Sequence, residues 1–161
     1  WKNFYLRSFL QVFLLQGIFL YSISLPIMFI NSSIVNVFGI LEFIGLLVWG
    51  LGFCFESMAD RQLKEFISNP ANKGKLMDKG LWKYSRHPNY FGEVTQWWGI
   101  FIIALSIPNS FFTILGPITI TMLILFVTGI PLLEKKYAGR LNWEEYKKKT
   151  SIFIPLPPRS R

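Results

Sequence analysis

Apolar residues run through this chain in blocks. Ser8 to Ile30 carries no charge, Ile34 to Phe55 carries only Glu42, Tyr90 to Ile107 only Glu93, and Phe111 to Leu133 none. A bilayer core about 30 Å thick needs about 20 mainly apolar residues in a helix. Runs such as Phe101-Ile102-Ile103-Ala104-Leu105 are apolar on every side, which argues against the alternation of a membrane barrel. The pattern predicts an all-α, polytopic membrane bundle of four transmembrane helices, the third of them short. Asn31-Ser32-Ser33 and Pro108-Asn109-Ser110 make two tight, uncharged hairpins. The loop from Met58 to Asn89 is charged, and so is the C-terminal segment from Glu134 to Lys149, which reads as a helix lying on the membrane surface.

Composition agrees with lipid as the covering phase. The 161 residues are 52% hydrophobic and 17% aromatic, which would leave large apolar patches on a soluble domain of this size. The net charge of +8 raises the question of nucleic acid, and the placement of the 17 Lys and Arg answers it. Two precede the first span, seven lie between the second and third, and eight follow the fourth, so all fall on one side. By the positive-inside rule this places both termini and the central loop in the cytoplasm, at a bacterial inner membrane or the endoplasmic reticulum. Nucleic-acid binding is not needed to explain the charge. One Cys and one His exclude a disulfide framework and the usual zinc sites. Neither a G-x-G-x-x-G after a strand nor a G-x-x-x-x-G-K-[ST] is present, so a nucleotide would have to be held between helices. Trp1 is not an initiator methionine, and no signal-like segment precedes the first span. The sequence therefore reads as a single membrane domain, 1–161, forming the C-terminal part of a longer protein.

Polar residues at membrane depth are the functional candidates. Glu42, Gly45, Trp49, Gly52, Glu56 and Asp60 fall within about 80° of one another if the second helix continues past Phe55. Two readings stay open for this stripe: a seam where glycines let helices approach closely, or, for Asp60 at the cytosolic mouth, a functional position. On the third span Asn89, Gly92, Glu93, Gln96 and Gly99 share about 120° of surface. Pro88 suits a first helical turn, whose free N–H groups attract anions. Upstream, Gly80 to Pro88 gathers aromatics, cations and His87, whose ordinary pKa near 6.5 allows a charge switch; the cluster is either a headgroup anchor or a site. In the C-terminal segment, Lys147-Lys148-Lys149 suits anionic lipid, while Arg140 and Tyr146 suit the closing of a cofactor pocket.

At Gly80-Leu81-Trp82-Lys83-Tyr84-Ser85-Arg86-His87-Pro88-Asn89-Tyr90-Phe91-Gly92-Glu93, followed by Trp97-Trp98-Gly99, the chain resembles the DUF1295 membrane proteins. These are similar to the C-terminal domain of steroid 5α-reductases, in a superfamily that includes sterol reductases and isoprenylcysteine carboxyl methyltransferases. The likeness extends to Leu15-Gln16-Gly17, Ser24-Leu25-Pro26, Asp60-Arg61-Gln62-Leu63, Gly129-Ile130-Pro131-Leu132-Leu133-Glu134 and the ending from Tyr146 to Pro155. It implies an NADPH-dependent reductase acting on an activated carbon–carbon double bond of a lipid or steroid-like substrate. It implies Asn89 and Glu93 as cofactor contacts, with Asp60 and Tyr146 closing on the nucleotide. Trp82, Tyr84, Arg86, His87, Tyr90 and Arg140 complete the candidate cofactor set. Glu56 stands where the steroid reductases tend to have Asn. Arg86-His87-Pro88 is shared with the methyltransferase branch and implies the alternative of S-adenosylmethionine. In that case Arg86 and His87 hold its carboxylate, and Tyr90 or Trp82 packs near the sulfonium. The substrate-polarising Tyr and Glu of the steroid reductases belong to helices N-terminal to this region, so the resemblance assigns no catalytic residue here. A third reading, a non-catalytic scaffold, is disfavoured by Glu42, Asn89, Glu93 and Gln96 at membrane depth.

Overall fold

The computed structural model describes residues 2–33 and 38–159. Over these the chain is built from helices: α1 (Lys2–Ser8), α2 (Leu15–Ser32), α3 (Ile40–Ser68), α4 (Pro88–Ala104), α5 (Leu115–Met122), α6 (Ile130–Tyr137) and α7 (Trp143–Lys149). A π-helical stretch, Phe9–Leu14, joins α1 to α2. Three helical rods, Asn3–Ser32, Ile40–Ser68 and Ser110–Tyr137, are long and apolar enough to cross a membrane, the last of them bent. Exposed Phe13, Ile18, Leu20 and Leu51 give these rods apolar outer faces suited to lipid. The expected third apolar segment forms a helix, α4, but at 17 residues it is shorter than the three rods and is not among those long enough to cross.

The start of α3 settles the reading of Glu42. Its carboxylate accepts the Gly39 backbone N–H at 2.9 Å, a one-way cap that satisfies a donor at the helix start. The expected beginning of this span at Ile34 falls outside the described residues. At its other end α3 continues past Phe55 to Ser68, where Pro70 stops it and the Asn69 side chain accepts the Ala71 N–H at 3.0 Å.

Glycine dictates how α3 meets α4. A Cβ built on Gly52 would lie 2.6 Å from the Gly92 carbonyl oxygen, and one on Gly99 would lie 2.6 Å from the Trp49 nitrogen. Backbones therefore touch, in antiparallel register: Gly45 faces Gly99 and Ile103, while Gly52 faces Gly92 and Gln96. A second close approach sets Gly116 on α5 against Pro26 on α2, where an added Cβ would stand 2.8 Å from the ring.

Two expected boundaries are corrected. The last apolar segment does not run unbroken from Phe111 to Leu133. It passes through a π-helical stretch, Leu123–Val127, and bends before α6, because Pro131 supplies no N–H to continue the ladder. The segment from Glu134 to Lys149 is likewise two helices. Gly139 (φ 85) and Asn142 (φ 65) adopt left-handed backbone between α6 and α7 and turn the chain. Beyond α7 the tail lies beside Tyr84 to Arg86. The Arg86 N–H donates to the Ser151 carbonyl at 2.8 Å, the Ser85 hydroxyl to Phe153 at 2.7 Å, and the Leu156 N–H to Tyr84 at 3.1 Å.

Candidate active site

Where α3 emerges, a cavity of about 520 Å³ opens between its last turns, the loop that follows, and α6 with α7. Five of the residues singled out in the sequence line it: Trp82, Arg86, His87, Arg140 and Tyr146. Tyr137 and Trp143 add aromatic wall, and Lys73, Lys75 and Lys136 add positive charge.

Arg86 anchors the cavity. It is only 9% exposed, so its charge requires compensation, and Glu134 supplies it. Arg86 Nε donates to Glu134 Oε1 at 2.7 Å and Nη2 to Oε2 at 3.2 Å, a bidentate pair. Nη1 donates to the carbonyls of Lys147 and Thr150 at 3.0 and 3.2 Å, and the guanidinium lies 5.7 Å from the centre of the Trp143 ring. His87 Nε2 lies 3.3 Å from the same Glu134 oxygen, and the imidazole is 2% exposed. Burial pushes the His87 pKa below its usual value; Glu134 opposes the shift and Arg86 adds to it. Loop 80–87 and α6 are thus joined through one carboxylate.

Tyr146 on α7 makes a second tie. Its hydroxyl donates to the Trp82 carbonyl at 2.6 Å, and Trp82 Nε1 donates to the Ala59 carbonyl on α3 at 3.1 Å. Burial raises the phenol's pKa, so it remains a neutral donor. Arg140 places its guanidinium 4.5 Å from the centre of the Tyr137 ring, exposed at the cavity edge.

The remaining candidates lie apart from this lining. Asn89 Nδ2 donates to Asp60 Oδ1 at 3.0 Å, joining the start of α4 to α3. Deeper along the same seam the Gln96 amide donates to the Glu56 carboxylate. Glu93 is half-buried on the same helix. Tyr90 stacks on His87 with ring centres 5.7 Å apart. Tyr84 is exposed, and its carbonyl holds the tail. The structure thus gathers five candidates in one cavity, pairs Asp60 with Asn89, and stacks Tyr90 on the cavity residue His87.

Glu134 is the residue that sequence reasoning passed over. The available signal was a lone acid closing an apolar Pro-Leu-Leu run, in a chain whose Arg86 had to be buried with a partner. The model of one protein family, described as a protein of unknown function (DUF1295), matches residues 1–150. No curated protein and no solved structure matches the chain.

Proposed function

The chain belongs to the DUF1295 family, and from that premise we propose that it is a membrane-embedded oxidoreductase of the steroid 5α-reductase type, using NADPH to reduce an activated double bond in a lipid substrate. The observation that carries the reading is the cavity's pairing of aromatic wall with cationic rim. Tyr137 and Tyr146, backed by the buried Trp82 and Trp143, give an aromatic wall for flat heterocycles, while Lys73, Lys75, Lys136 and Arg140 offer charge for phosphates. NADPH presents both features. When bound, its nicotinamide supplies the hydride. The chain's part is to neutralise the phosphates, hold the heterocycles and keep the pocket's shape. Asp60, Asn89 and Glu93 hold the nicotinamide end in this reading; Asn89 and Glu93 lie on α4, which begins directly after the cavity residue His87.

The same rim weighs against S-adenosylmethionine, which carries a sulfonium and no phosphate. In that alternative Arg86 and His87 grip the methionine carboxylate, yet Glu134 and two carbonyls already engage four of Arg86's donor contacts. A new carboxylate would have to displace Glu134 from a buried ion pair. The reading also takes α4 as a fourth membrane crossing and places the basic loops in the cytoplasm.

The test is to titrate NADPH and S-adenosylmethionine separately into the purified chain in mild detergent. NADPH is expected to bind, and Lys136→Gln and Arg140→Gln are each expected to weaken it about five- to ten-fold, more at low salt than at high. Binding of S-adenosylmethionine alone would transfer the chain to the methyltransferase reading.

A further inference from the structure

Beside the first cavity lies a second, of about 460 Å³, with Phe66, Asn72, Tyr146 and the run from Gly74 to Leu76 as a common wall. Four lysines line it, Lys75, Lys79, Lys83 and Lys149, against two carboxylates, Asp78 and Glu145, a surplus of two positive charges. Lys149 is already held by Glu145 at 2.6 Å. Lys75, Lys79 and Lys83 enter no ion pair among the described residues. Gly74 (φ 81) and Gly80 (φ 59) take left-handed backbone at either end of the segment that brings Lys75 and Lys79 to the chamber. Cations drawn together without an anion repel one another, so the arrangement gains when an anion enters.

We propose that this second cavity binds a phosphate group of its own, held chiefly by Lys79 and Lys83, because Lys75 borders the first cavity as well. A phosphate monoester carries about −1.5 to −2 charges near neutral pH and a diester headgroup such as that of phosphatidylglycerol about −1, so either falls within the surplus in the chamber. Leu141, 80% exposed, stands at the rim and gives the cationic chamber an apolar edge. That pairing suits the phosphate of an anionic lipid as well as that of a soluble compound. An occupant would brace α7 against the loop 74–83, and with it the wall that both cavities share.

The test uses the full chain in phosphatidylcholine nanodiscs. One arm titrates inorganic phosphate and reads the melting midpoint; the other mixes in phosphatidylglycerol and counts retained lipid by native mass spectrometry. A response to phosphate identifies a soluble source, and selective retention of phosphatidylglycerol identifies the membrane. The K79Q/K83Q double variant changes two exposed side chains and is expected to weaken whichever ligand binds by about ten-fold or more. K64Q/K135Q removes the same charge outside the cavity and is expected to leave binding intact. If neither ligand binds wild type, if K79Q/K83Q binds as wild type does, or if the control loses as much, the proposal is wrong.

Discussion

Glu134 joins loop 80–87 to α6, and the Arg86 it holds also donates to the Lys147 and Thr150 carbonyls at the end of α7. Glu134→Ala should leave a buried guanidinium without its anion and destabilise the chain by about 3 kcal/mol, measured as a fall in the melting midpoint in detergent. Substitution of either exposed partner in the Arg61–Glu65 pair should change little. His87 gives a pH dependence whose sign follows from its burial. Its folded-state pKa lies below the ordinary 6.5, so the unfolded chain takes up the proton first as pH falls. Stability is therefore full above about pH 6.5 and declines below it, until the folded form also protonates. Melting between pH 8 and pH 5.5 should show this decline in wild type and a shallower one in His87→Gln; equal slopes would remove His87 from the account.

At the scale of elements, the α3–α4 seam is the feature the sequence carried most openly. The stripe through Gly45, Gly52 and Glu56 and that through Gly92, Gln96 and Gly99 are the two faces that meet. Gly92→Ala should drive a methyl group to 2.5 Å from the Glu56 nitrogen, force the helices apart and cost about 1–3 kcal/mol. Gly50→Ala meets nothing within 4 Å and should be neutral or stabilising, so equal melting of the two variants would deny the close seam. The start of α4 at Pro88 was equally legible, since proline suits a first turn. The split between α6 and α7 was not, because it rests on left-handed Gly139 and Asn142 inside a run that otherwise reads as amphipathic. Glu134 was hidden for a related reason. Its partner Arg86 lies 48 residues earlier, and no local periodicity reports a pairing at that distance. The cavity was legible only in part, because Lys73 and Lys75 come from the loop after α3 and Lys136 from α6, and only tertiary folding brings them together.

For the molecule as a whole, topology joins the apolar rods to the basic cavity. All 17 Lys and Arg flank apolar segments on what the sequence predicts to be one side, and both cavities take their cations from those flanks. If that side is cytoplasmic and the first cavity takes NADPH as proposed, the cavity faces the compartment that supplies it, while the apolar faces of the rods remain in lipid where a hydrophobic substrate would dissolve. The arrangement requires α4 to cross the membrane despite its 17 residues, which span about 25 Å at 1.5 Å per residue and so call for local thinning or shelter by α3 and α5. Single-cysteine labelling can decide this. With Cys54, the lone cysteine, replaced by alanine, Lys73→Cys reports the loop after α3 and Pro108→Cys the turn after α4. A membrane-impermeant thiol reagent added to intact cells or sealed microsomes is expected to reach the two positions from opposite sides, with Lys73→Cys modified only from the cytoplasm. Labelling of both from one side would leave α4 on the same face as its loop, remove the fourth crossing, and separate the Asp60–Asn89 pair from any route between cytosolic cofactor and membrane-dissolved substrate.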